Sequence, residues 1–222
     1  MPVPEREMIE AVVFDLDGVL IQTEEIWDEV RGEYIVRLGG RYDEEAQRAM
    51  MGMSSKEWSA YLAEDLGVPR TAKQANDDVV ELMAASYREH LPLIDGATEA
   101  VERLAARWPL AVASSSNRPL IDLVLGLSGL ARYFHATVSS EEVPRGKPAP
   151  DVYLEACRRL DADPTRSAAI EDSHAGIGSA KAAGMRVIAI PNPAFPPGDE
   201  ALANADLVLD SLPDLTVEAV EA

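Results

Sequence analysis

The chain is predicted to be an α/β protein: a Rossmann-like parallel sheet with helices on both faces, plus a small all-helical unit inserted after the first strand. Three observations carry this. Short apolar runs that stop at polar residues alternate with amphipathic stretches across residues 92–222. The segment from Thr23 to about His90 keeps helical spacing and contains no strand-like run. Each apolar run is the length of a strand buried on both faces, as in a sheet covered by helices.

The elements follow in order. Ala11-Val12-Val13-Phe14 is a buried strand cut off at Asp15. Trp27, Val30, Tyr34 and Leu38 recur at helical spacing, and Gly39-Gly40 ends that helix. Ser54 with Glu57 three residues on forms a capping box that starts a second helix through Leu62 to Leu66. Val79, Leu82, Met83 and Tyr87 mark a third. Beyond Pro92, strands are expected at 109–113, 136–138, 168–170, 187–190 and 207–209. The helices between them are marked by Ala100 and Leu104, by Leu120 and Val124, by Tyr153, Ala156, Cys157 and Leu160, and by the small residues Gly176 to Ala183. The core therefore comprises residues 1–21 and 92–222, and the helical unit residues 22–91.

Composition narrows the function. With 222 residues, 47% hydrophobic, the chain can bury a sizeable core. One cysteine excludes an intramolecular disulfide framework and a multi-cysteine zinc site. A net charge of −19 repels nucleic acid and anionic membranes, so neither is an expected partner. No apolar run approaches the roughly 20 residues that span a bilayer, and the polar start has no signal-peptide apolar region. A cytoplasmic location is expected. No oligomeric state is specified, and a monomer satisfies everything read from the residues.

In an open parallel sheet the binding crevice lies beyond the carboxyl ends of the strands. Asp15-Leu16-Asp17, Ser114, Lys147 and Glu171-Asp172 all fall at strand ends or in nearby loops. Residues two apart on extended backbone point to the same side, so Asp15 and Asp17 converge, and Glu171 and Asp172 add two more carboxylates. Two such charges about 4 Å apart repel by roughly 4 kcal/mol at an effective dielectric near 20. The cluster must hold a cation or share a proton. Oxygen-only ligands favour a hard ion, and Mg2+ fits best. Taken alone, an Asp-x-Asp is most often a pair of surface carboxylates, and a lysine in Gly146-Lys147-Pro148 a solvated turn. Ser114 offers a hydroxyl, and Ser115 backbone N–H groups at a helix start suited to an anion. Together the parts describe phosphoryl transfer to an aspartate from a small phosphorylated metabolite.

These motifs resemble the haloacid dehalogenase-like superfamily. Phe14-Asp15-Leu16-Asp17-Gly18-Val19-Leu20, Ser114, Gly146-Lys147-Pro148-Ala149-Pro150-Asp151 and Ile170-Glu171-Asp172-Ser173 are similar to its four motifs, in order, over nearly the whole chain. The resemblance implies that Asp15 is a nucleophile forming an aspartyl-phosphate. It implies that Asp17 is a general acid/base lending its backbone carbonyl to the metal, and that Asp172, with Glu171 beside or behind it, is a metal ligand. Ser114 and Lys147 would hold the phosphoryl group, and Thr23 would sit at the hinge of a helical cap. The closest branch is that of beta-phosphoglucomutase and the sugar-phosphate phosphatases. Trp27 and Ser55 stand where the mutases carry a histidine and an arginine, which favours hydrolysis. Mutase action and a non-enzymatic phosphoacceptor are the alternatives. Cap residues Trp27, Met51, Gly52, Met53, Ser54, Ser55, Lys56 and Trp58 are expected to choose the substrate. Cys157 and His174 read as a core residue and a helix start.

Overall fold

A computed structural model describes residues 8–50 and 53–222. The candidate positions Met51 and Gly52 lie outside the described residues. The strands are β1 (Ala11–Phe14), β2 (Leu110–Ser114), β3 (Phe134–Ser139), β4 (Ser167–Glu171), β5 (Arg186–Ala189) and β6 (Leu207–Val208). They pair in parallel as one sheet in the order β3-β2-β1-β4-β5-β6. Every residue of β1, β2 and β4 is buried, which is why these strands read as unbroken apolar runs.

The helices are α1 (Glu24–Arg37), α2 (Glu44–Met50), α3 (Ser55–Glu64), α4 (Ala72–Glu89), α5 (Ala97–Ala105), α6 (Arg118–Ser128), α7 (Asp151–Leu160), α8 (His174–Ala182), α9 (Asp199–Leu202) and α10 (Val217–Glu221). Alternate β1 side chains serve opposite faces. Val12 and Phe14 join a core with Leu104 of α5 and Val124 of α6, and this core continues into Tyr34, Leu62 and Met83 of α1, α3 and α4. Val13 joins a second core with Tyr153 and Cys157 of α7 and Ile177 of α8.

The chain leaves and re-enters the sheet region at adjacent points. Gln22 N–H donates to Pro92 O at 2.8 Å and Ile94 N–H to Leu20 O at 3.0 Å. Between these points lie α1 to α4. The Glu57 carboxylate accepts from both the backbone N–H and the hydroxyl of Ser54 at 2.7 Å, so the expected box starts α3. Among the described residues, no helix is long and apolar enough to cross a membrane. The short helices α2, α9 and α10 were not foreseen, because seven residues or fewer show no period.

Candidate active site

Strand order sets the site. Neighbours of β1 on one side are reached before β3 and on the other only after it, so the crevice opens between β1 and β4, at the switch point. The register pairs Phe14 with Ile170, and Asp15 N–H continues the ladder to Ile170 O at 3.0 Å. Asp15 and Glu171 therefore emerge side by side.

Lys147 enters from the loop before α7. Its ammonium lies 3.0 Å from Asp15 Oδ1 and 2.6 Å from Glu171 Oε1, and it stands 5.0 Å over the Tyr153 ring. All three charged side chains are buried. Asp15 Oδ1 also accepts the Leu16 N–H at 2.7 Å. Its other oxygen has no hydrogen-bond partner among the described residues. Glu171 Oε1 takes the Tyr153 hydroxyl at 2.7 Å, while Oε2 takes the N–H groups of Asp172 and Ser173 and the Ser173 hydroxyl.

Two glycines make room for this packing. A Cβ on Gly18, whose φ is +79°, would lie 1.9 Å from Asp172 Oδ2, and one on Gly176 would lie 1.8 Å from Glu171 Oε1.

Asp15, Glu171 and Asp172 each offer a carboxylate oxygen, and these oxygens lie within 4.8 Å of one another. Asp172 Oδ1 is buried with no hydrogen-bond partner. Burial pushes the Asp15 carboxyl up to about 8, against the pull of Lys147 and with the charges of Glu171 and Asp17 adding to the rise. Burial, then Glu171 and Asp15, push the Asp172 carboxyl well above the ordinary range. An all-oxygen, charge-rich pocket with an orphaned acceptor fits a divalent cation.

The expected convergence of four carboxylates stops at three. Asp17 is turned from the cluster: its Oδ1 accepts the Thr23 hydroxyl at 2.7 Å, and its Oδ2 accepts Ser116 Oγ at 2.7 Å and Ser114 Oγ at 3.4 Å. Extended geometry ends at Phe14, so the two-residue rule does not carry through to Asp17. Ser114 Oγ accepts the Ser116 N–H at 2.9 Å, and the Ser115 carbonyl accepts Ser140 Oγ at 3.1 Å.

Asp17 faces a cavity of about 100 Å³ beneath the helical unit, shared with Trp27, Trp58, Met53 and Ser115. The two tryptophan rings lie 6.1 Å apart, centre to centre. Ser54, Ser55 and Lys56 line a separate groove of about 450 Å³ that also reaches Lys147. Ser55 Oγ contacts Glu141 at 3.4 Å. Asn117 Nδ2 reaches both Glu141 at 2.8 Å and Asn76 of α4 at 2.9 Å, clasping the helical unit to the sheet region.

Sequence reasoning missed the placement of four residues. Ser116 was not singled out, and Tyr153 read only as one residue of a helix face. Glu24 and Arg31, which line the same cavity as Asp17, were not singled out. The signal for Arg31 was present: it falls four residues after Trp27 and three before Tyr34, a charge inside an apolar stripe.

Fold and site together define an α/β enzyme with a carboxylate–lysine centre at a topological switch point. The haloacid dehalogenase-like hydrolase model matches residues 12–190. The chain is 32% identical to hexitol phosphatase B of Escherichia coli (strain K12), over 94% of this chain and 95% of that protein. It is also 32% identical to the bifunctional riboflavin kinase/FMN phosphatase of Arabidopsis thaliana, over 96% of this chain but 56% of that longer protein. The crystal structure of CbbY from Rhodobacter sphaeroides in complex with phosphate superposes with a TM-score of 0.87 at 30% identity, covering 97% of this chain and all of that one. The chain belongs to the haloacid dehalogenase-like hydrolase family.

Proposed function

We propose that the chain is a Mg2+-dependent phosphatase that hydrolyses a small sugar or polyol phosphate through an aspartyl-phosphate on Asp15. It is a haloacid dehalogenase-like phosphatase, a phosphoric monoester hydrolase. The observation that carries the finer reading is the Lys147 ammonium held between Asp15 and Glu171, beside the unpartnered Asp172 Oδ1.

Residues 22–91 act as the cap and residues 1–21 and 92–222 as the catalytic core. Asp15, Asp172 and the Asp17 carbonyl hold the Mg2+, with Glu171 at or behind it. When bound, that ion neutralises phosphoryl charge. Lys147 supplies a fixed cation for the phosphoryl oxygens, and Ser114 and Ser115 border the same space. The unpartnered Asp15 oxygen attacks phosphorus, and the bond from phosphorus to the ester oxygen breaks. Asp17, which lines the cavity below the cap, gives its proton to the departing oxygen. Asp17 then takes a proton from water, whose oxygen attacks phosphorus and frees Asp15. The cap excludes bulk water meanwhile.

Mutase action has less support, because Trp27 and Ser55 occupy the positions of the mutase histidine and arginine. A small phosphorylated metabolite as substrate fits a cytoplasmic location. The test combines phosphate release from p-nitrophenyl phosphate and hexitol phosphates, with Mg2+ or with chelator, and acid-quench labelling of Asp15. Mg2+-dependent release, with label on Asp15 and none in Asp15→Asn, is the expected result. Substantial turnover by Asp15→Asn overturns covalent catalysis.

A further inference from the structure

Beside Asp17, the cavity beneath the cap holds two charged side chains, Glu24 and Arg31, to which the reaction steps assign no role. Its charged lining residues are Asp17, Glu24 and Arg31. Arg31 is only 7% exposed. Its Nε–H donates to Trp27 O at 3.1 Å, Nη1 reaches Met50 O at 3.5 Å, and the guanidinium lies 5.4 Å over the Trp27 ring. Among the described residues it forms no ion pair within 4.0 Å. A guanidinium has five N–H donors, so donors remain for a molecule in the cavity it lines. Glu24, at the first turn of the same helix, contributes acceptors. Burial and then the Asp17 charge push the Glu24 carboxyl above its ordinary range, opposed by Arg31.

We infer that Arg31 and Glu24 are specificity residues that read the hydroxyls of a neutral polyol leaving group, and that the pocket rejects a substrate carrying a second phosphate. The inference rests on the phosphatase reading and deepens it. A hydroxyl both donates and accepts, so one or two neighbouring hydroxyls can satisfy the guanidinium and the carboxylate together. Trp27 and Trp58 offer apolar faces to the C–H side of such a chain, the mix of apolar wall and few placed polar groups that small-molecule sites use. A second phosphate instead meets one cation against two carboxylates, in a chain of net charge −19. Burying that charge without a full partner is strongly disfavoured. A cavity of about 100 Å³ also suits a short carbon chain.

The experiment uses the full chain with Mg2+ and compares kcat/KM on four probes: p-nitrophenyl phosphate, glycerol 3-phosphate, a hexitol phosphate and fructose 1,6-bisphosphate. For the wild type, at least one of the two polyol monophosphates should exceed the bisphosphate by about tenfold or more. In Arg31→Met and Glu24→Gln, the ratio of kcat/KM for that polyol phosphate to kcat/KM for p-nitrophenyl phosphate should fall about tenfold, mainly through KM. Arg31→Lys should fall part-way, since an ammonium lacks the planar fork. A ratio that stays put in the variants overturns the inference, and so does a wild-type preference for the bisphosphate. If Arg31→Met fails to fold, Glu24→Gln, which keeps the volume, decides alone. Failure of the wild type to release phosphate from any probe would instead reject the phosphatase reading, so the two failures are distinct.

Discussion

Tyr153 donates its hydroxyl to Glu171 Oε1 at 2.7 Å, and that same oxygen receives the Lys147 ammonium at 2.6 Å. A residue of the helix core thus fixes the carboxylate that fixes the lysine. Hydrogen bonds to charged groups contribute about 1.5–3 kcal/mol. Tyr153→Phe should lower unfolding free energy by about that amount, read from urea denaturation. It should also weaken Mg2+ binding by calorimetry. Unchanged values for both would mean that Tyr153 is packing alone.

The metal-free protein should lose stability as pH rises. The folded-state value of Asp15 stands at about 8 against an ordinary 3.8, so the folded chain binds that proton more tightly than the unfolded chain. The resulting stability is fully present below about pH 4 and is lost as pH passes through about 8. Asp172 shifts in the same direction. Melting temperature in chelator should therefore fall between pH 5 and 8, and saturating Mg2+ should flatten the decline. A metal-free melting curve that rises over this interval contradicts the buried-carboxylate account.

Gly176→Ala places a methyl 1.8 Å from Glu171 Oε1, in a fully buried site. Overpacking costs about 1–3 kcal/mol. Here the strain acts on a carboxylate beside the proposed metal site. Loss of Mg2+ affinity with retained far-UV circular dichroism is the expected outcome. Full affinity would show that Glu171 can shift without consequence.

Thr23→Val removes the 2.7 Å hydrogen bond to Asp17 Oδ1 and leaves the shape of the side chain. Asp17 keeps Ser116, so its position loosens without collapsing. Under the proposed mechanism kcat should fall about tenfold, with a shifted pH profile and little change in KM. A pure KM effect would assign Thr23 to substrate binding instead.

Much of this architecture is legible in the sequence. The runs ending at Asp15, Ser114 and Glu171 announce strands whose polar ends share one edge of a parallel sheet, and Ser54 with Glu57 announces a helix start. What stayed hidden was chiefly direction. Asp17 is two residues from Asp15, yet its carboxylate belongs to the Thr23–Ser116 side, because the backbone stops being extended between them. Tyr153 sits on an apolar helix face, so its hydroxyl had no visible destination until β4 placed Glu171 beneath it. Arg31 lies within an apolar stripe, where a long side chain ordinarily runs outward to water. Inside, it meets the Trp27 carbonyl and ring and the Met50 carbonyl, the last contributed by α2, one of the short helices that sequence patterning missed.

β1 pairs on one side with β2, the next strand in the chain, and on the other with β4, far along it, and this second pairing bears on how the protein is made. On the ribosome, Asp15 emerges well before Asp172 and before α8, the helix that packs against Glu171. A nascent chain thus carries its proposed nucleophile without the Glu171 and Asp172 carboxylates that complete the cluster, and stays chemically silent until β4 slots in beside the first strand. Premature termination before that strand should yield polypeptide without phosphate-releasing capacity, whatever part of it folds.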